Sequence, residues 1–153
     1  RMKSWIKRIL ARTPARTSNS TIKSSIKNIG REGERHAAQY LRRKGYRIIS
    51  LRERDFLGEL YIIAFHRSSS TLVFVEVKTL RSSKPGHPAD KVDFRKQQKI
   101  TRAALRYLKR RNLLGARARF DVISIRWPYK HDQPSELSNF ICAFEGSENY
   151  QLF

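Results

Sequence analysis

Residues Gly58–Lys78 read GELYIIAFHRSSSTLVFVEVK. Two apolar runs, Leu60–Phe65 and Thr71–Val77, flank a short Ser-rich turn. Val, Ile, Phe and Tyr dominate both runs, and their length suits strands better than helices. The stretch therefore predicts a central pair of strands. Three groups in and beside these runs do not suit a core: Glu59, Glu76 and Lys78. Side chains alternate along a strand, so Glu76 and Lys78 share a face, as do Glu59 and Tyr61. A buried carboxylate or ammonium is costly unless it is paired or bound to a metal. Glu76 and Lys78 are thus either an ion pair at a sheet end or part of a site.

Outward from this pair, residues 31–44 carry a helical stripe, with Glu34, Ala37, Ala38 and Leu41 on one side and Gly45 as the stop. Glu34 is either a helix-start carboxylate favoured by the dipole or a site residue. Tyr46–Leu51 predicts a strand, and Arg52, Glu53, Arg54 and Asp55 predict a charged, solvated connection. The loop Thr79–Ala89 carries Ser82, Ser83, Pro85, Gly86 and Pro88. It is either a phosphate-holding loop or a surface connection. A second helix is expected from Asp90, as N-cap, to about Leu113, with Ile100, Ala104, Tyr107 and Leu108 as its stripe. Gln97 falls on that stripe, as a site residue or as a helix-end group bonded to backbone. Arg119–Trp127 and Asn139–Phe144 predict two more strands. The fold class is α/β: a mixed sheet of about five strands, with one helix before and one after the central hairpin.

The chain has 153 residues and a net charge of +20, from 33 Lys and Arg against 13 Asp and Glu. A polyanion is the natural partner for such an excess, because each neutralised phosphate releases counterions. Nucleic acid, DNA before RNA, is the expected partner; an anionic membrane surface and a basic ribosome-associated role are the alternatives. Lys96, Lys99, Arg102 and Arg106 lead a basic run that continues through Lys109, Arg110 and Arg111 and offers a phosphate-tracking surface. Its plain reading is a solvated face. One cysteine, Cys142, excludes a disulfide framework or a cysteine-based zinc site and reads as a small buried residue on a strand. No apolar run approaches the ~20 residues of a membrane helix. His36, His66, His87 and His131 lack metal-ligand spacing, and there is no Gly-rich phosphate loop.

Residues 1–28 hold eight basic residues and no acid, with Ser and Thr after Pro14. They divide from a domain over 29–153 and are expected to be a flexible basic arm. Trp5, Ile6, Ile9 and Leu10 could instead line a short helix, and the composition also has the look of an organelle transit peptide. A cytoplasmic protein is the expectation, with a homodimer left open.

Five ordered pieces carry a resemblance: GREGERHAAQYL (30–41), KGYRII (44–49), GELYIIA (58–64), LVFVEVKT (72–79) and KQQKI (96–100). Together, over about residues 29–126, they resemble the YraN-like family of small bacterial proteins, related to PD-(D/E)XK nucleases and Holliday junction resolvases. The resemblance implies a restriction-endonuclease-like core and a Mg²⁺ or Mn²⁺ ion serving phosphodiester hydrolysis. Carried over, Glu76 is the strand acid and Lys78 the lysine that orients water. Val77 offers a carbonyl to the metal, and Glu34 and Gln97 belong to the catalytic set. Asp121 matches a family Asp expected to tether strand ends.

One position departs. Where the family reads G-E-I-D, this chain has Tyr61, and a phenol of ordinary pKa about 10 is a poor ligand for a hard cation. Glu59, about 6–7 Å away along the strand, is the candidate substitute at the metal. Two functions follow: a nucleic-acid-binding module of nuclease-like fold that has lost catalysis, or an active Mg-dependent endonuclease or junction-resolving enzyme. A basic RNA-associated structural protein is the third.

Overall fold

The β-branched and aromatic runs on either side of the Ser-rich turn form the two middle strands of a five-stranded sheet. In a computed structural model the described residues are 4–10, 28–56, 58–82 and 92–146. The elements are α1 (Ser4–Leu10), α2 (Ile29–Arg43), β1 (Tyr46–Asp55), β2 (Gly58–His66), β3 (Thr71–Leu80), α3 (Phe94–Arg110), β4 (Ala118–Arg126) and β5 (Glu136–Phe144). Strand order follows the chain. β3 and β4 are parallel and the other pairs antiparallel. A parallel pair cannot be closed by a hairpin, so the chain crosses over, and α3 lies on that crossover. The mixed α/β sheet expected from the sequence is present, and it is consistent with a restriction-endonuclease-like core.

The sheet is covered on both faces. α2 buries Ala37, Ala38 and Leu41 against Ile62, Ala64, Val73, Val75, Ile123 and Ile125. α3 buries Ile100, Ala104, Tyr107 and Leu108 against Leu60, Ile63, Phe74 and Phe120. These are the stripes the sequence predicts, and they explain why β3 and β4 read as near-continuous apolar runs. Phe74 sits edge-on to Tyr107 and beside Phe120, with centroids 6.0 and 5.7 Å away.

Several expectations need correction. The segment Arg52–Asp55 is not a solvated connection but the second half of β1, bonded to two helices. The cap of α3 is Asp93, whose carboxylate accepts from the Lys96 backbone N–H at 3.0 Å; Asp90 lies outside the described residues. Cys142 is exposed, with φ of 52°. Its backbone N–H donates to Asp121 at 3.0 Å, at an irregularity in the β4–β5 register. Asp121 also accepts two bonds from Arg119, at 2.9 and 3.1 Å, so it ties β4 to β5 as expected. Within the predicted arm, Ser4–Leu10 is helical, and Ile6 and Ile9 enter the α3-side core, where Trp5 meets Phe65 edge-on at 6.0 Å. The apolar stripe thus outweighs the basic composition in these residues. Residues 11–27, the loop from 83 to 91 (with His87) and the tail from 147 lie outside the described residues.

Gly33 sets how closely α2 approaches the sheet. A Cβ there would collide with the Thr79 side-chain oxygen on β3. That oxygen is buried and makes no hydrogen bond. Gly33→Ala is expected to destabilise the protein by about 1–3 kcal/mol through overpacking, despite the helix preference for Ala. Adding Thr79→Ala should recover most of the loss, since the deleted hydroxyl gives up no bond. Urea midpoints of the two variants and the native protein check this.

Candidate functional site

β2 and β3 pair from His66↔Thr71 up to Ile62↔Val75 and then part. Gly58–Tyr61 on β2 and Glu76–Lys78 on β3 therefore border an opening at one end of the sheet. The polar residues that break the two apolar runs all fall there. The opening faces the N-terminal end of α3, and Gly33 brings the N-terminal part of α2 against Thr79 beside it. Helix N-termini carry partial positive charge and free N–H groups, so this end of the sheet favours anions.

Glu76 is the most constrained group. It is 3% exposed and forms an ion pair with the Lys96 ammonium. Burial pushes its carboxyl above the ordinary range, more than the bond and charge of Lys96 and the charge of Lys78 offset. Burial pulls Lys96 down, but its bond to Glu76 together with the charges of Glu76, Tyr61 and Asp93 outweighs this, and its pKa is raised overall. The Asp93 cap holds the backbone of Lys96 in the first turn of α3, and the ammonium lies 5.4 Å from the centre of the Tyr61 ring. Burial raises the Tyr61 pKa, with Lys96 opposing and Glu76, Glu59 and Glu34 reinforcing, so the phenol is neutral at physiological pH.

The other carboxylates are held by β1. Glu34 accepts two bonds from Arg52, at 2.6 and 2.7 Å. Arg52 has φ of 55°, an uncommon conformation for a side chain-bearing residue. Glu59 accepts from Arg54, its cross-strand partner, at 2.8 Å. Lys78 lies close enough to influence Glu76, and Val77 packs toward the α2-side core. Gln97 donates to the Val92 carbonyl at 2.8 Å and so secures the start of α3. The structure thus gathers Glu34, Glu59, Tyr61, Glu76, Lys78 and Lys96 into one electrostatically linked group.

A divalent cation, which the family resemblance implies, does not fit this group as arranged. Each of the three carboxylates is engaged by a cationic side chain. Tyr61 supplies a neutral phenol where an anion is needed. Among the described residues no three His, Cys, Asp or Glu side chains gather as ligands.

A cleft of about 340 Å³ opens beside the group, lined by Gly58, Glu59, Tyr61, Asp93, Arg95, Lys96, Lys99 and Ile100. Lys99 was expected at such a surface. Arg95 was missed, although it directly precedes the K-Q motif. Neither has a carboxylate partner among the described residues. Arg106 is committed to Asp55 at 2.9 Å, and Lys96 to Glu76. Arg102 lies one turn beyond Lys99 on α3.

Removing Lys96 should expose the cost of the buried carboxylate. Lys96→Met is expected to lose about 2–3 kcal/mol near pH 8, toward the low end for a broken buried pair because the Lys96 side chain is 41% exposed. Without Lys96 the native carboxyl binds its proton more tightly than the unfolded chain does. The loss should therefore be small near pH 4 and grow as pH rises from the ordinary carboxylate pKa of about 4.3 through the raised native value. Glu76→Gln in the Lys96→Met background should remove this pH dependence. Thermal unfolding across pH checks all three.

Comparison with known proteins places this geometry in a family. Residues 33–125 match the sequence profile of a family described as Uncharacterised protein family UPF0102. A UPF0102 protein of Rhodopirellula baltica is 52% identical over 116 residues, covering 76% of this chain and 70% of that protein. One of Syntrophotalea carbinolica is 42% identical over 118 residues, covering 77% and 92%. One of Alkaliphilus metalliredigens is 43% identical over 99 residues, covering 65% and 85%. The profile spans α2 through β4 from Gly33 and includes every residue of the linked group, so the chain belongs to the UPF0102 family, the YraN-like family its motifs resemble.

Proposed function

We propose that this protein binds nucleic acid through the cleft at the N-terminal end of α3 and does not cleave it. The observation that carries this reading is the Lys96–Glu76 pair. A lysine supplied by the chain neutralises the β3 carboxylate that a divalent cation would otherwise use. Arginines hold the other two candidates, and Tyr61 removes the fourth ligand.

What remains at the site is a phosphate-binding arrangement. α3 has no acidic residue in its first turn. Instead Arg95 and Lys96 stand there, with Lys99 one turn on, against the favourable direction of the helix dipole. The Asp93 cap offsets part of this cost, and a phosphate at the helix start would offset more. A net charge of +20 makes a polyphosphate the fitting ligand. Among the described residues no helix is long and apolar enough to cross a membrane.

The retained Glu76 and Lys78, side by side on β3 near Glu34 and Glu59, favour a second reading, a metal-dependent endonuclease acting on DNA. Cleavage of linear, single-stranded and four-way-junction DNA with Mg²⁺ or Mn²⁺ separates the two. The native protein is expected to leave all three intact. Cutting by the native protein that Lys78→Ala abolishes would overturn the binding-only reading. Cutting by Tyr61→Asp alone would support it. In binding assays across salt concentrations, Arg95→Ala with Lys99→Ala should lower the log–log slope by about 2. An unchanged slope would remove the cleft from the interface.

A further inference from the structure

We propose that the surface beside the cleft is a stacking platform for unpaired bases, so that the nucleic acid bound there is single-stranded. This rests on the nucleic-acid reading above and names its substrate class.

Two large aromatic side chains close in sequence to cleft-lining residues are left in solvent. Phe56 is 81% exposed and Phe94 is 66% exposed. Phe94 stands between Asp93 and Arg95, both of which line the cleft. Phe56 lies two residues before Gly58, which also lines the cleft. In this sheet, Phe65, Phe74 and Phe120 are nearly inaccessible to solvent, so the chain has an interior that takes phenylalanine. Phe56 meets Arg106, and Phe94 directly precedes Arg95 on α3.

Phe56 is held in place. Asp55 accepts from the Gly58 backbone N–H at 3.2 Å, closing the β1–β2 turn. Its other oxygen accepts from Arg106 at 2.9 Å. The Arg106 guanidinium lies 3.9 Å from the centre of the Phe56 ring. One face of the ring is thus backed by a cation fixed by a carboxylate, and the other face is open. A nucleobase on that face would complete a stack of guanidinium, phenyl ring and base. Arg106, expected from the sequence to touch phosphate, serves here as the support of the ring.

The spacing suits a strand rather than a single nucleotide. Positions 94 and 106 are about 18 Å apart along the α3 axis. That exceeds the rise of one nucleotide, about 3.4 Å, several times over, so the two rings address different bases. Lys99 and Arg102 lie on the helix between those positions and carry cations along the path of a backbone. Aromatic rings interleaved with cations are the general means of holding single strands, since every base has a stacking face. A duplex keeps its bases stacked inside and offers these rings nothing but sugar and phosphate.

The test is fluorescence anisotropy on the full chain at about 100 mM salt. The probes are oligo-dT and oligo-rU of about a dozen nucleotides and a DNA duplex of matched length. Phe56→Ala and Phe94→Ala are each expected to weaken single-strand binding by about 5- to 100-fold and duplex binding by less than about twofold. Phe56→Trp should retain affinity, and its indole emission should be quenched by the single strand. Both rings are exposed, so melting temperatures should not change. Native protein that binds duplex and single strand alike, with variants that change neither, overturns the platform and leaves the nucleic-acid reading standing. Equal losses on both probes also overturn it. Native protein that binds none of the probes overturns both.

Discussion

The buried pair of Glu76 and Lys96 is the constraint on which the site depends. A carboxylate at the end of an apolar strand, 3% exposed, has lost nearly all its hydration and needs a cation or a proton. The cation comes from the first turn of α3, where the Asp93 cap fixes the helix start and Gln97 ties it to Val92. One interaction therefore joins the end of β3 to the start of α3 across the opening between β2 and β3. It also decides the electrostatics of the cleft. With Glu76 neutralised from within, the cations Arg95 and Lys99 stand at the rim without a carboxylate partner among the described residues, beside the Asp93 cap.

The topology explains why these groups meet at this end of the sheet. β3 and β4 are parallel, so the chain must cross between them, and α3 lies on that crossover. Its start comes near the end of β3. α2 lies on the other face and presents its N-terminal part through the gap that Gly33 leaves at Thr79. Two helix starts thus converge where β2 and β3 separate. The positive ends of two dipoles come to one end of the sheet, which is where the proposed phosphate-binding surface lies.

Much of this was legible in the sequence. The apolar runs 60–65 and 71–77 lie within β2 and β3, and the helical stripes predicted the two faces of α2 and α3. The polar residues interrupting those runs marked the opening. The stretch RERD at 52–55 was not legible, because alternating charge looks the same in a solvated loop and in a strand wired to its neighbours. Its partners are Glu34, Arg110, Arg111, Glu59 and Arg106, up to 58 residues away, and no local period records them. Asp93 was missed because Asp90 is an equally good cap by type, and only the fold selects between them. Ile6 and Ile9 were set aside because composition outvoted a short stripe. Cys142 was misplaced because an apolar strand at the sheet edge need not be buried.

Tyr61 and Lys96 make sense only together. An aspartate at position 61 would stand beside Glu76 as a second anion, and one lysine cannot neutralise both. Two carboxylates so close demand either a raised pKa in one of them or a doubly charged ion between them. A tyrosine removes that demand. Its ring offers an apolar, electron-rich face over which the Lys96 ammonium lies at 5.4 Å, and its hydroxyl stays protonated because burial raises its pKa. Tyrosine at the position where the resembled family reads aspartate is therefore accommodated by the site. It changes the charge the site requires from two to one, and Lys96 supplies one.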